Sequence, residues 1–503
     1  MNSHNRLAVR QFWQENRSRF LVDWVVTPIT IVIILAYVWC MNQLIKLTPI
    51  DFPASVACMI LTFILLLICN LITARYTQMF INTFSPAVDF LLKWINVLFC
   101  PAFILIPNSK SISSKEFGMV FGVFAIGLLI STIATALTVN AFKKLKTIIF
   151  KKPQASTEVE SGDLEKASAI DLPEEDDSTL NERERNPKET SPPANDKSMN
   201  KLSELSELNE SGSKLKKFLG DYANPMIYFT AFVPSFIVYL VTDQELPVQL
   251  TLNVLSFYAA LAVPARIRRF LHPIITCSGL MIFFIYILGL MKGLTLTHGL
   301  DTFSTGTRYL VLLDPTRTES VPQPGAGDVL YSLLEGSIVS LSFNMFKYRR
   351  ELRDHAFEMI PTIGIISCAS LFLYPLIAGA MNLPTNVALP FAVRGITTPL
   401  AINIETVLGG DVNTTVIMVI VTGILGAVGG QWFLRKLGFS EDDYITIGVT
   451  LGCNANAVST AALLESNLKA AAIASLSFVL FGTIPIILVA IPSITNVIRG
   501  FAT

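Results

Sequence analysis

The feature that most constrains this chain is an apolar run of roughly 20 residues that recurs from residue 21 to the C-terminus. As a helix, each run is long enough to cross a hydrocarbon core of about 30 Å. Continuous runs exclude a transmembrane β-barrel, whose strands alternate apolar and polar residues. Only 15% of the 503 residues are charged and the mean hydropathy is +0.54, whereas a soluble domain is about a quarter charged. A soluble enzyme, a nucleic-acid-binding protein and a disordered chain are excluded together. The fold class expected is an all-α polytopic membrane protein.

The 38 acidic and 38 basic residues balance overall but not locally. Residues 151–210 hold 16 acidic and 8 basic residues, which leaves 22 against 30 elsewhere. This stretch is rich in Pro, Ser, Glu and Asp (Pro173 to Ser178 reads PEEDDS) and cannot bury enough apolar surface to offset the entropy of ordering. It reads as a disordered acidic linker, residues 147–220, between two membrane domains at 21–146 and 221–503, with 1–20 as a short N-terminal segment.

Four spans precede the linker, near 21–45, 53–73, 88–106 and 117–139. Arg6, Arg10, Arg17 and Arg19 lie before the first, and Lys143, Lys144, Lys146, Lys151 and Lys152 follow the fourth. The positive-inside rule then puts the N-terminus and linker in the cytosol. Eight spans follow, near 225–241, 247–265, 272–291, 329–346, 358–380, 413–434, 444–465 and 469–493, with an ambiguous segment at 386–408. A re-entrant hairpin there, broken at Pro390, Gly395 and Pro399, would make Arg435, Lys436 and Arg499 all cytosolic. Counted as two half-elements, the hairpin gives five elements facing each way, the inverted-repeat arithmetic of secondary transporters. In this pairing the polar span 329–346 corresponds to 444–465.

Arg394 is the most informative residue, since an arginine within a span costs at least about 2.5 kcal/mol and marks a pathway or a bound anion. A helix restarting near Pro399 would aim its N-terminal N–H groups at that anion, beside the Thr397 and Thr398 hydroxyls. The opposing reading pairs Arg394 with Glu405 or lets it snorkel. Asn454, Asn456, Ser459 and Thr460 form a second polar cluster, with Ser337 and Glu335 on the span paired to it. Amides and hydroxyls in lipid must face protein, water or ligand. Glu335 and Glu405 are candidates to carry a coupling ion, H⁺ or Na⁺. The glycines of Gly423 to Gly430 are read as a close helix-packing face.

Seven scattered cysteines and four histidines suggest neither disulfide nor metal site, and no cofactor is expected. No nucleophile–base pair, P-loop or dinucleotide motif argues for an enzyme or an ATP-driven pump.

FAVRGITTPLAINIETVLGGD (Phe391 to Asp411), TGILGAVGGQWFLRKLGF (Thr422 to Phe439) and GVTLGCNANAVSTAALLES (Gly448 to Ser466) resemble, in order and spacing, signatures of the LrgB/CidB family. FPASVACMILTFILLLI (Phe52 to Ile68) and FLLKWINVLFCPAFILIP (Phe90 to Pro107) resemble LrgA/CidA. This fused order is that of plant plastidal glycolate/glycerate translocators and of similar fungal proteins. The resemblance implies an LrgA-like four-helix domain followed by an LrgB-like inverted-repeat transport domain with broken helices, moving small 2-hydroxycarboxylates. Bacterial relatives imply pyruvate movement or holin-like control of lysis. The family's Lys-Ser-Val-Thr-Thr-Pro pattern falls on Arg394 to Pro399. Asn403 stands where glutamate is usual, Asn456 where histidine is usual, and Leu334 to Ser337 replace a Leu-Gly-Pro-Ala entry.

The expected function is a secondary carrier of small carboxylates by alternating access, with Arg394, Thr397, Thr398, Pro399, Asn403, Asn454, Asn456, Ser459, Thr460 and Ser337 around the substrate. The rivals are a holin-like pore or permeability regulator and a cation/proton exchanger. A small carboxylate anion, H⁺ or Na⁺, the bilayer and a homo-oligomer are the partners entertained, and nucleic acid is not. No acid-poor, Arg/Ser-rich transit segment precedes the first span, so a plastid location is not supported.

Overall fold

Within a bilayer every backbone polar group must be bonded inside the protein. The chain meets this with helices, and the described residues contain no strand. The structure, a computed structural model, describes Arg17 and residues 21–48, 52–98, 100–108, 114–149, 224–242, 244–264, 273–314 and 321–502. Ten of its helices are long and apolar enough to cross a membrane, and the protein is an all-α polytopic membrane protein.

The N-terminal part is α1 (Val22–Lys46), α2 (Ala54–Ile72), α3 (Ala74–Leu98) and α4 (Ser114–Ile149). The third helix starts well before the expected 88, because residues 74–87 form its amphipathic first turns. The fourth runs ten residues past the expected 139, held there by lysines described below. The expected linker lies outside the described residues save for 147–149, and the expected segment 1–20 does so save for Arg17.

The next helices are α5 (Asn224–Val241), α6 (Leu246–Ala262), α7 (Pro273–Lys292), α8 (Ala326–Lys347) and α9 (Ala356–Ala380). One apolar core joins α1 to α3 with α6 to α8. Another joins α9 and the chain beyond it with Val123, Phe124 and Val139 of α4. The two halves therefore share their cores.

Beyond α9 the helices break. Short α10 (Pro390–Val393) stops at Arg394, and α11 (Thr398–Leu408) starts after the extended residue Thr397, with Pro399 in its first turn. The Asp411 N–H donates to the Asn386 carbonyl (3.1 Å), and the Thr385 hydroxyl and the Arg499 guanidinium tie the same end to the C-terminus. Residues 385–411 thus leave and return at one level, the hairpin expected at 386–408.

A second hairpin replaces an expected crossing. Next come α12 (Val412–Lys436), α13 (Tyr444–Ser466), α14 (Leu468–Val489) and α15 (Pro492–Phe501). Inside α13, Ala455 and Asn456 leave helical geometry, Asn456 at φ 49° and ψ −153°. The Asn467 amide donates to the Glu441 carbonyl (3.2 Å) and Gln431 to Ser466 (2.8 Å), so both ends of α13 lie together. Its first half runs parallel to α14: Gly448 abuts Ala470, and Gly452 abuts Ala474 and Ser477. Had α13 crossed, the next helix would run antiparallel to it. Residues 441–467 are a hairpin, and the expected span at 444–465 is corrected.

Two further expectations change with it. α8 is unbroken, so 329–346 is no counterpart of 444–465. The inversion instead relates α9 plus the first hairpin to α12 plus the second. Arg435 and Lys436 sit at the base of the second hairpin, and Arg499 at the base of the first, so they lie at opposite ends of α12 and do not share a side.

One end of the bundle is basic. Lys143 pairs with Asp443 at the second hairpin's base, and Lys146 pairs with Glu358 at the start of α9 (2.7 Å). Arg349, Arg350, Arg353, Arg435 and Lys436 gather at this end. Burial opposes ionisation of Asp443. The Lys143 ammonium, with the Thr446 N–H and hydroxyl, outweighs it and holds the carboxyl below the usual carboxylate range.

Such a carboxylate stabilises the fold above its unfolded pKa of about 3.9, and the contribution disappears as pH falls through the lower folded value. Asp443→Asn, which keeps an N-cap oxygen, should cost up to about 1 kcal/mol at pH 7 through the lost ion pair. In a thermal-unfolding series in detergent, the difference from the unaltered protein should shrink below about pH 4. An equal gap at pH 7 and pH 3 contradicts the pairing. For topology, cysteines at Ser440 and Leu468, in a chain with the native cysteines replaced, should react with an impermeant maleimide from the same side. Labelling from opposite sides would restore the single crossing.

Candidate functional site

The two hairpins point at each other. Against α14 the second hairpin reaches Ser477 through Gly452, while the first reaches Phe481 through Gly395 and Gly482 through Ile396 and Leu400. The tips therefore meet half way along a 22-residue helix, the depth at which broken helices form solute sites. A methyl group added at Gly395 would lie 2.6 Å from the Cys453 carbonyl oxygen, so the tips touch backbone to backbone.

Arg394 lies at the first tip, 2% exposed. Its Nη2 donates to the Tyr374 hydroxyl, and the guanidinium sits over the Tyr374 ring, 4.6 Å from the centroid. The Tyr374 hydroxyl in turn donates to the Gly127 carbonyl of α4 (2.7 Å). Nε and Nη1 of Arg394 have no partner. The opposing expectation, a pair with Glu405, is not what the fold builds. Glu405 lies one and a half turns or more along α11, at the hairpin base beside Gly410, and both its oxygens are without a partner.

The remaining first-tip residues complete a donor-rich corner. Thr397 and Thr398 are each 4% exposed, and Thr397, at the start of α11, makes no side-chain cap bond. Pro399 is buried in the first turn. Asn403 turns back and donates to the Pro399 carbonyl (3.2 Å). A helix N-terminus, two hydroxyls and a guanidinium with free nitrogens form an arrangement suited to an anion.

The second tip is built differently. Asn456 donates to the Val419 carbonyl (3.0 Å) and accepts from the Val458 N–H (3.1 Å). Ser459 donates to Leu451 O and Asn456 O (both 3.0 Å), and Thr460 to Asn456 O (3.1 Å). These groups are spent on backbone atoms at the break and on the Val419 carbonyl of α12. Asn454 donates to Thr135 (2.8 Å) and Thr450 O (3.0 Å) and accepts from Ser131, both partners in α4 being outside the second half of the chain. The small face read at Gly423 to Gly430 makes room for this hairpin, with Gly426 against Ala455 and Gly430 against Leu451.

Two expected residues do not join the tips. The Ser337 hydroxyl is committed to Leu334 O (2.7 Å). Glu335 accepts from the Tyr309 hydroxyl (2.9 Å), and the neighbouring Gly336 faces Leu91, Leu35 and Ile34 of α3 and α1. Sequence reasoning in turn missed Tyr374 and the α4 row of Ser131 and Thr135. The signal was present: a tyrosine in mid-span needs a hydroxyl partner, and Ser131, Thr135 and Thr138 recur along one helix face. Among the described residues no group of three His, Cys, Asp or Glu side chains could hold a metal.

Opposed hairpins meeting inside an apolar helical bundle define a multi-pass membrane protein of the broken-helix transport type. Comparison with known proteins gives the family. The LrgB-like family profile matches residues 253–495. The uncharacterised Bacillus subtilis protein YwbG is 31% identical over 154 residues, 31% of this chain and 68% of its own length. The chain belongs to the LrgB-like family. An Arabidopsis thaliana protein named plastidal glycolate/glycerate translocator 1 is 24% identical over 465 residues, 92% of this chain and 78% of its own length. The holin-like protein CidB of Staphylococcus aureus is 26% identical over 163 residues, 32% of this chain and 70% of its own length. No solved structure matches the chain significantly.

Gly395→Val should force the tips apart and destabilise the protein by about 1–3 kcal/mol, read as a lower melting temperature in detergent. A variant melting with the unaltered protein contradicts the tip-to-tip contact.

Proposed function

We propose that this protein is a secondary carrier of small carboxylates, glycolate- and glycerate-like hydroxy acids among them, working by alternating access. The observation that carries this reading is Arg394: a buried cation at the meeting point of two broken helices, with two nitrogens free of any partner. An unneutralised guanidinium in a low-dielectric interior costs several kcal/mol, and a carboxylate ligand would offset that cost. The name of the Arabidopsis translocator, aligned over most of this chain, points to the same substrate class.

Arg394 would hold the carboxylate, Thr397 and Thr398 would bond its oxygens or an adjacent hydroxyl, and the N-terminus of α11 would add its dipole. Asn454, Asn456, Ser459 and Thr460 would form the facing wall, set by backbone bonding rather than by free side chains. Residues 21–146 read as an LrgA-like domain fused to the transport unit, acting as its scaffold through α4. The basic end, with the linker, would face the cytosol.

In liposomes the purified protein should take up labelled carboxylate with saturation. Arg394→Ala should reduce that uptake at least tenfold, with Arg394→Lys retaining part of it, since lysine keeps the charge without the planar donors. Unaltered uptake by Arg394→Ala rejects the site. Leakage without saturation or solute preference would favour the pore reading that the holin-like relatives suggest.

A further inference from the structure

The first hairpin carries two charges within the bundle, and they are opposite. Between Thr385 and Gly410 the charged residues are Arg394 and Glu405 alone. Glu405 is 0% exposed, and neither of its oxygens has a hydrogen-bond partner. The Thr415 hydroxyl, on the facing helix, donates to the Asp411 carbonyl (3.0 Å) and stands close enough to the Glu405 carboxyl to turn to it. Gly410 closes over the carboxyl so tightly that a side chain there would collide with it, and Leu389 stands beside Gly410.

Charged groups on every packed element have other engagements or stand at the ends. Asp411, at the end of the hairpin, is the other charge that acts on Glu405; it caps α12 by accepting from the Thr414 N–H (2.6 Å) and keeps its negative charge. Arg499 of α15 donates to the Leu408 and Val407 carbonyls (2.9 and 2.7 Å). On α8, Asp328 accepts from Thr305 and Gly325 N–H groups and Glu335 from Tyr309, while Lys347 lies over the Tyr348 ring. Lys469 of α14 sits at the opposite, basic end, over Tyr444. The remaining elements against this hairpin add no further charge near Glu405.

We propose that Glu405 is the proton-binding site of the carrier, and that it makes carboxylate movement an electroneutral symport with one proton. The inference rests on the carboxylate reading above. With the site empty, Arg394 and an ionised Glu405 cancel within the buried part of the hairpin, while Asp411 and Arg499 at its base carry one negative and one positive charge. A carboxylate at Arg394 then makes it negative, and a proton on Glu405 restores neutrality. Of the four combinations of anion and proton, only the empty and the doubly loaded ones are neutral. Moving a net charge through a low-dielectric interior costs several kcal/mol, so these two forms are the ones that rearrange. The proton has a short route: Glu405 lies one turn from the exposed Gly409 at the hairpin base.

Liposomes containing the full chain and a trapped pH dye, offered glycolate, glycerate, lactate and pyruvate, test this. The unaltered protein should acidify the lumen by one proton per carboxylate, respond to an imposed pH gradient, and ignore an imposed membrane potential. Glu405→Gln mimics the protonated form, so its loaded state is neutral and its empty state charged. It should lose proton-driven net uptake at least tenfold yet keep exchange of internal for external carboxylate, while Glu405→Asp keeps the coupling. Saturable uptake without proton flux, coupling that survives Glu405→Gln, or loss of exchange together with net uptake overturns the assignment but leaves the carrier reading in place. Absence of saturable carboxylate uptake by the unaltered protein defeats the carrier reading itself.

Discussion

The rest of this structure depends on one constraint: a backbone N–H or C=O in lipid has no water to turn to. A helix can be interrupted at mid-depth only where protein replaces the lost bonds. At Ala455 and Asn456 the replacement is nearly complete, with Ser459 reaching across eight residues to Leu451 O and Asn456 clasping both Val419 O and Val458 N–H. The cluster of amides and hydroxyls is therefore the condition for the break. At 394–397 the replacement is partial, and what is left over is a set of donors: two guanidinium nitrogens and an uncapped helix start.

The N-terminal helices matter to both tips through α4. Descending that helix, Gly127 holds Tyr374, and through it Arg394. One turn further on, Ser131 and Thr135 hold Asn454. At the basic end, Lys143 and Lys146 fasten the base of the second hairpin and the start of α9. The family profile begins at residue 253, yet the site it contains is oriented by side chains more than 100 residues earlier.

Much of this was legible in the sequence, for physical reasons that differ by element. The spans were readable because lipid solvation demands length and apolarity together, and the first hairpin because Pro390, Gly395 and Pro399 announce breaks and Arg394 announces a polar destination. The second hairpin escaped because its break carries neither proline nor glycine. Asn456 adopts the positive φ unaided, stabilised by the bonds its own amide makes. A run of 22 or so residues with one such break has the same composition as a crossing. Charge counting compounded the miss, since the side assigned to Arg499 inherits the parity of every element before it. Long-range partners such as Tyr374 with Gly127 were beyond periodicity altogether, being 247 residues apart.

The asymmetry of the tips is the reason for proposing that the first of them recognises the ligand. The second tip is neutral, its polar atoms are occupied, and the small residues of α12 pack closely against it, so it offers shape. The first tip is charged and under-bonded, a costly state that a bound anion would relieve. On the proposed function, recognition and closure fall on two halves related by inversion. α14, running past both tips, is the element along which one could move relative to the other. A motion of this kind changes what walls the site while Arg394 stays with Tyr374, so the anion would meet the same donors from either side of the membrane.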